Sequence, residues 1–191
     1  MKSINNWNDV RPATDGFETV PVGAYICQIL RCEEKPNKNN GGTHLEIWFD
    51  IAAGDWKGFF TNDYMKQTGE NKYWRGTIYQ NVPDENSDKY NMQCGFFKRF
   101  INAIEESNEG YHWDWNEELL KGKRIGVVFG EVERESKSGT RYMTTRPDSV
   151  VSTKAVEENK FRIPKVKYLP VKQEAPEAST FEEINYGELP F

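Results

Sequence analysis

The sequence has few of the residues on which metal sites and catalytic centres depend. Its 191 residues include only three cysteines and two histidines. Cys27, Cys32 and Cys94 form no C-x-x-C pair, which argues against a zinc site and favours buried thiols in a reducing compartment. No glycine-rich phosphate loop and no serine-histidine-aspartate arrangement is identifiable. We therefore expect no enzyme activity, no cofactor and no bound metal. A nuclease that holds magnesium by carboxylates alone stays open as an alternative.

Long apolar runs are also missing. Charged residues make up 29% of the chain, and no stretch is apolar enough for a transmembrane helix. The first ten residues, M-K-S-I-N-N-W-N-D-V, contain no apolar run of the kind that a signal peptide needs. These absences predict a cytoplasmic protein that does not contact a membrane.

The negative charge is confined to one end of the chain. The formal net charge is −5, from 25 basic and 30 acidic residues. Residues 173–191 contain five glutamates and no base, so residues 1–172 hold 25 basic and 30 − 5 = 25 acidic residues. A neutral body with an acidic tail is compatible with a local basic groove.

Aromatic residues are abundant for so polar a chain, with 6 Trp, 9 Tyr and 11 Phe. The central stretch, residues 22–51, predicts a β-hairpin because both of its flanks alternate apolar and polar residues around a turn containing Pro36, Gly41 and Gly42. The second flank places Trp48 among polar neighbours, opposite an apolar face. The apolar face consists of Leu45, Ile47, Phe49 and Ile51. The hairpin thus combines a core face with an aromatic-polar outer face.

The rest of the body predicts further strands and one main helix. The sequence F-F-T-N-D-Y-M, residues 59–65, is interpreted as a third strand, and residues 66–95 as a surface excursion with one short strand near residues 74–79. Apolar residues at i, i+3, i+4 and i+7 from Phe97 predict a helix that ends near Asn108. A short helix capped by Asn116 follows.

A strand with three inward apolar residues and a final hairpin complete the predicted domain. The inward residues are Ile125, Val127 and Phe129. The domain is predicted to span residues 1–152, followed by a flexible linker over residues 153–178 and an acidic interaction tail over residues 179–191. The fold class is mainly β, a five-stranded Greek-key barrel with one main helix and a flexible C-terminal tail.

Exposed aromatic rings and spaced cations together are typical of a surface that binds single-stranded nucleic acid. Bases stack on the rings, while the cations contact phosphates along a groove. Tyr79 on the excursion offers one further ring. The predicted DNA-binding residues are Trp48, Lys57, Phe60, Tyr64, Tyr73, Trp74, Arg75, Lys137 and Arg141.

Several blocks of the sequence resemble a family of phage-encoded single-stranded DNA-binding proteins. They are F-E-T-V-P-V-G-A-Y-I-C-Q-I-L, G-G-T-H-L-E-I-W-F-D-I-A-A-G-D-W-K-G, F-F-K-R-F-I-N-A-I, L-K-G-K-R-I-G-V-V-F-G-E-V-E and S-G-T-R-Y, within about residues 17–150. The resemblance implies an OB-like barrel that coats single-stranded DNA during phage replication or recombination, in the host cytoplasm. It leaves open whether the protein forms homo-oligomers.

The C-terminus carries an independent resemblance. Bacterial single-stranded DNA-binding proteins end in an acidic tail that closes on Pro-Phe, and this chain ends G-E-L-P-F. A terminal ring fits a pocket, and its α-carboxylate can meet a basic residue there. The resemblance implies that Leu189, Pro190 and Phe191 bind replication or recombination proteins.

An aromatic β face alone does not identify its ligand. A β module that binds carbohydrate, or that serves as a virion or interaction protein, would present similar rings. The acidic Pro-Phe tail favours the DNA-binding prediction over this alternative.

Overall fold

The fold is mainly β and consists of five antiparallel strands with helices packed around them, in a computed structural model that describes residues 18–38 and 41–170. The sheet order is β3-β2-β1-β4-β5. The strands are β1 (Gly23–Pro36), β2 (Thr43–Ile51), β3 (Thr77–Asn81), β4 (Arg124–Glu135) and β5 (Arg141–Val151). The helices are α1 (Phe59–Lys66), α2 (Tyr90–Ser107), α3 (Thr153–Glu157) and a 3₁₀ turn (Glu117–Leu120). No helix in this described part is both long and apolar enough to cross a membrane.

The predicted opening hairpin is confirmed. Strands β1 and β2 pair antiparallel from Cys27 opposite Ile51 to Pro36 opposite Thr43. The four residues predicted for its apolar face are all buried, because they point into the core shared with β4 and α2. Alternation along β2 thus identified the core side correctly.

Strand β1 is the centre of the sheet because it pairs with two neighbours. Its first part, Gly23 to Gln28, pairs with β4, and an irregularity between Ile29 and Arg31 interrupts its pairing with β2. Bulges of this kind bend a strand and increase its twist. The sheet has five strands, the number predicted, although its third strand is Thr77–Asn81 and not residues 59–65. The predicted barrel closure is not shown, since within the described residues no strand pairing joins the edge strands β3 and β5.

The prediction of a strand over residues 59–65 is wrong, because this segment forms helix α1. Gly58 adopts a left-handed conformation (φ 73°) immediately before the helix. The buried carboxylate of Asp50, at the end of β2, accepts hydrogen bonds from the backbone N–H of Phe60 (3.0 Å) and of Thr61 (3.0 Å). A carboxylate at a helix N-terminus satisfies free N–H groups and complements the helix dipole.

The other predicted helices are confirmed with changed lengths. Helix α2 begins at Tyr90, earlier than its apolar stripe suggested, and ends at Ser107 next to Asn108. The short helix is a 3₁₀ turn whose cap is Asn116, as predicted, since its side chain accepts a hydrogen bond from the Glu118 N–H (3.0 Å). Ile125, Val127 and Phe129 of β4 are buried, also as predicted.

The folded body continues beyond residue 152, where the sequence predicted the start of a flexible linker. Helix α3 packs near β4 through Val156, which lies so close to Gly126 that a Cβ there would meet its Cγ2 at 2.5 Å. Pro164 lies equally tightly over Gly130. Lys167 then forms a parallel bridge with Val132 of β4. The two glycines of β4 let this C-terminal segment approach the strand. Residues 171–178 of the predicted linker, and the whole tail, lie outside the described residues.

Candidate nucleic-acid interface

Trp48 lies on the side of the sheet that faces away from the core, and three neighbours hold its half-buried ring. The ring lies nearly parallel to that of Trp74, with 6.1 Å between centroids and 13° between planes. The Arg31 guanidinium lies 4.8 Å from the Trp48 ring centroid, because Arg31 and Trp48 are partners in the β1–β2 register. The indole N–H donates to Glu46 (3.1 Å). Trp48 is therefore oriented before any ligand arrives.

The segment before β3 brings further aromatic rings beside Trp48. The Trp74 indole N–H donates to the carbonyl of Gly76 (2.9 Å), and the ring of Tyr64 from α1 lies 5.9 Å from the ring of Trp74. Lys72 places its ammonium 5.6 Å from the Tyr64 centroid. Tyr73 is 61% exposed, with its backbone N–H bound to the side chain of Gln67 (2.9 Å). These contacts join α1 and the 66–76 segment in one aromatic surface.

Tyr79 of β3 extends this surface along the sheet. It pairs with Glu46 in the β2–β3 register, is 60% exposed and meets the ring of His44 edge to face at 5.4 Å. We call the group of five rings the aromatic face. It consists of Trp48, Tyr64, Tyr73, Trp74 and Tyr79. Tyr73 and Tyr79 carry its largest exposed areas.

Phe60 belongs to the core, which corrects its predicted place on the binding surface. It is 5% exposed and packs between Phe49 and Phe129, with ring centroids 5.5 Å and 6.2 Å away. The physical reason is that residues 59–66 are helical, so that Phe60 faces the sheet and Tyr64, one turn later, lies beside Trp74. A base cannot stack on a ring that is enclosed in this way.

Arg75, predicted to contact a phosphate, already has a protein partner. Its guanidinium donates two hydrogen bonds to the carboxylate of Asp63 on α1, one of them from Nε at 2.6 Å. Both side chains are largely buried. The pair ties the 66–76 segment to α1 and so positions Tyr64 and Trp74, which is a structural role for Arg75.

The remaining predicted cations lie on other elements. Lys57 is exposed just before α1, and Lys137 is exposed in the turn between β4 and β5. Arg141 begins β5 and is bound on two sides, by Glu133 (3.4 Å) and by the carbonyl of Pro170 (2.9 Å). The structure thus gathers four of the nine predicted residues in the aromatic face and leaves these three cations apart from it.

Arg31 is the cation that the sequence analysis missed. It stands over Trp48 and also donates to the carboxylate of Glu33 (2.6 Å from Nε). The signal was present in the hairpin register, since an arginine directly opposite an outward tryptophan is placed to stack on it. The irregularity between Ile29 and Arg31 shifts the pairing of β1 with β2, so the residue opposite Trp48 could not be identified from the sequence.

A second aromatic group, also missed, lies in the loop between α2 and the 3₁₀ turn. Trp115 is 79% exposed, adopts a left-handed backbone (φ 66°) and stacks on Phe97 at 6.5 Å with an interplanar angle of 8°. The neighbouring Trp113 contacts both rings. The oxygen of Tyr111 and the indole nitrogen of Trp113 are buried and have no hydrogen-bond partner among the described residues. Burial, helped by Asp114 and Glu105, raises the pKa of the Tyr111 phenol.

Two of the three thiols lie inside the fold. Cys27 and Cys32 are buried, and burial followed by the charges of Glu117 and Glu33 raises the pKa of Cys32 to about 12. Burial likewise raises the pKa of Cys27. Within residues 18–38 and 41–170, no three His, Cys, Asp or Glu side chains are grouped so that they could hold a metal ion.

Comparison with known proteins assigns no family to this chain. No protein-family model matches the sequence, and no curated protein matches it significantly. The geometry of the aromatic face is therefore the main basis for a functional assignment.

Proposed function

We propose that this protein binds single-stranded DNA with little sequence preference and coats it during phage replication or recombination. One observation carries the proposal: the rings of Trp48, Trp74 and Tyr64 are in contact, Arg31 and Lys72 lie against two of them, and the exposed Tyr79 shares the outer face of the sheet with Trp48. Rings provide stacking for any base, and cations beside them attract the phosphates between the bases. Catalysis has no part in this function.

The strand order supports an OB-like barrel as the scaffold. Strand β1 pairs with both β2 and β4, α2 connects β3 to β4, and the edge strands β3 and β5 have Cα atoms within 8 Å of each other. OB folds bind oligonucleotides on the face of strands 2 and 3, which here carry Trp48 and Tyr79. The proposal therefore places the strand of DNA across β2 and β3.

Binding would begin at the exposed rings and reach Trp48 last. Tyr73 and Tyr79 offer free faces, whereas Trp48 is covered by Trp74 and Arg31. When a base stacks on Trp48, the Arg31 guanidinium would move from the ring to a neighbouring phosphate. Its positive charge would then pair with the DNA backbone. Each stacked base contributes about 1–3 kcal/mol, so three or four rings suffice for tight binding. Lys57, Lys137 and Arg141 would contact phosphates farther along the strand.

The acidic tail would bind partner proteins through Leu189, Pro190 and Phe191. The described fold ends at Pro170, whose carbonyl is bound by Arg141 at the β4–β5 hairpin. The sequence becomes acidic from Glu174 onward, and these acids would compete with DNA for the cations that we assign to phosphates.

Deleting residues 181–191 should tighten DNA binding several-fold at low salt and abolish capture of replication proteins. The tightening should fade as salt screens the competing charges. Anisotropy titrations of the full and shortened chains at two salt concentrations would measure the first effect. Unchanged DNA affinity together with unchanged partner capture would remove the tail from the proposal.

The central test is a tryptophan-fluorescence titration with oligo-dT, beside duplex DNA of equal length, at several salt concentrations. We expect quenching by the single strand and an affinity that falls with a logarithmic salt slope of about −0.7 per phosphate contact. A Trp115→Phe background would remove emission from the exposed loop tryptophan. An equal response to duplex would move the site away from the aromatic face. No response at low salt, in the full chain or without its tail, would reject DNA binding and favour the carbohydrate or interaction-module alternative.

A further inference from the structure

Residues 160–170, which we call the strap, lie on the fold as an extended segment with two different sides. One side is apolar and half-buried, and it consists of Phe161, Pro164, Val166 and Leu169. Pro164 contacts Gly130, the Lys167 N–H donates to the Glu131 carbonyl (3.0 Å), and the Leu169 N–H donates to the Glu133 carboxylate (2.9 Å). The strap is thus held to β4 by its backbone and by its apolar side.

The other side of the strap is exposed and cationic. It carries four basic residues, together with Ile163 and Tyr168, of which Tyr168 is 72% exposed. The basic residues are Lys160, Arg162, Lys165 and Lys167. Two of them are paired, Lys160 with Glu158 (2.7 Å) and Lys167 with Asp148 (2.7 Å). In the described part of the chain, Arg162 and Lys165 have no ion-pair partner.

The contacts that hold the strap to β4 do not explain why its exposed side is cationic. The contacts with β4 use backbone groups and apolar side chains, and any polar residue would serve at positions 162, 165 and 168. Cations instead recur two or three residues apart along an extended backbone, at spacings of about 7–10 Å. Such a linear array, with an exposed ring at its end, matches a linear polyanion that carries planar groups.

We propose that the strap is a second track for single-stranded nucleic acid, in which Arg162 and Lys165 contact phosphates and Tyr168 stacks a base. This inference rests on the proposed function and lengthens its site beyond the aromatic face. The strap meets the β4–β5 hairpin where Arg141 binds the Pro170 carbonyl (2.9 Å), so the track continues into the hairpin cations. A long strand would use both surfaces, and a short one would occupy the aromatic face alone.

The test compares two pairs of substitutions in the full chain. Arg162→Ala with Lys165→Ala removes two strap cations, and Lys98→Ala with Lys121→Ala removes two exposed lysines elsewhere, with the same change in net charge. Anisotropy titrations use labelled oligo-dT of about 6 and about 30 nucleotides at several salt concentrations. Urea unfolding of each variant checks that the fold is intact.

We expect the strap pair to lower affinity for the long oligonucleotide by about tenfold and its salt slope by about 1.4, with little change on the short one. Tyr168→Ala should lower long-strand affinity about fivefold or more. If the strap substitutions and the control substitutions weaken binding equally, the loss comes from the change in net charge alone, and the track is rejected. Unchanged long-strand binding rejects it too, while leaving the aromatic face in place. If the wild-type chain binds no single strand, the proposed function and the track fail together.

Discussion

Two tryptophan pairs in this protein, Trp48 with Trp74 and Trp113 with Trp115, each include a ring in a parallel stack, and their surroundings are opposite. Trp48 lies parallel to Trp74 within 13°, and Trp115 lies parallel to Phe97 within 8° while touching Trp113. Cations accompany the first pair, with Arg31 on Trp48 and Lys72 on the adjacent Tyr64. Acids accompany the second, since Asp114 separates its two tryptophans and the Glu105 carboxylate accepts a hydrogen bond from the backbone N–H of Trp113 (2.8 Å).

The comparison shows that exposure of a ring does not by itself identify a nucleic-acid site. Trp115 is the more exposed ring, yet among the described residues no cation lies over it, whereas Arg31 lies over Trp48. The indole N–H groups differ as well: those of Trp48 and Trp74 have acceptors, whereas that of Trp113 has none in the described part of the chain. The indoles of the first pair are thus oriented by polar partners.

The largest expected effect comes from removing the support of the first pair. Asp50→Ala should lower the free energy of unfolding by about 3 kcal/mol, because the buried carboxylate accepts hydrogen bonds from three backbone N–H groups and the Thr61 hydroxyl. Helix α1, which carries Tyr64, would lose its anchor. Urea unfolding followed by circular dichroism measures the change.

Asp55→Ala is the matched control, since Asp55 is exposed in the turn before α1. It should change stability by no more than about 0.5 kcal/mol. Equal effects of the two substitutions would show that charge in this turn, and not the buried carboxylate, stabilises the helix.

Trp48→Ala should weaken oligo-dT binding by about 1–3 kcal/mol, because it removes a stacking surface and the ring on which Arg31 rests. Trp115→Ala should change the affinity by less than about 0.5 kcal/mol, since no cation from residues 18–38 or 41–170 lies over that ring. Anisotropy titrations of both variants against the wild type would decide. A greater loss from Trp115→Ala would reverse the assignment of the two pairs. Unfolding of Trp48→Ala would place Trp48 in the core.

The smallest effect concerns the acidic surroundings of the second pair. Burial and the charges of Asp114 and Glu105 raise the pKa of Tyr111, so its phenol stays protonated in the folded chain at a pH where the unfolded chain has lost that proton. Stability should therefore fall as pH rises past about 10. Asp114→Asn should lower the Tyr111 pKa, as measured by ultraviolet titration with Tyr111→Phe as the reference. An unchanged pKa would exclude Asp114 as a cause and leave burial and Glu105.

The sequence predicted those features that depend on local periodicity. Alternation along β2 identified Ile47 and Phe49 as core residues, and the stripe from Phe97 identified the main helix. Features that depend on distant partners were not predicted. Residues 59–66 contain two phenylalanines and a threonine, which favour a strand, and their helix depends on Asp50, which belongs to β2.

In the candidate site, too, some features could be predicted from nearby residues and others depend on distant partners. Trp48, Tyr64, Tyr73 and Trp74 were predicted as one surface, and the structure brings the rings of Trp48, Tyr64 and Trp74 into contact, with Tyr73 exposed next to Trp74 in the chain. Their role in binding stays a prediction. Arg75 was predicted to contact phosphate because its actual partner, Asp63, lies twelve residues earlier and could not be recognised from the sequence. The strap was interpreted as a linker because spaced prolines and lysines are typical of linkers. Its docking depends on glycines in another strand.

The close fit of the C-terminal segment over Gly126 and Gly130 has a consequence for how the chain folds during synthesis. Val128 lies between these glycines on the same buried side of β4, and Lys167 pairs with the edge of that strand. Until residue 170 has left the ribosome, a nascent chain therefore presents an uncovered apolar strip and an unpaired strand edge, the surfaces through which chains aggregate. The last part of the body to be synthesised is the part that protects it.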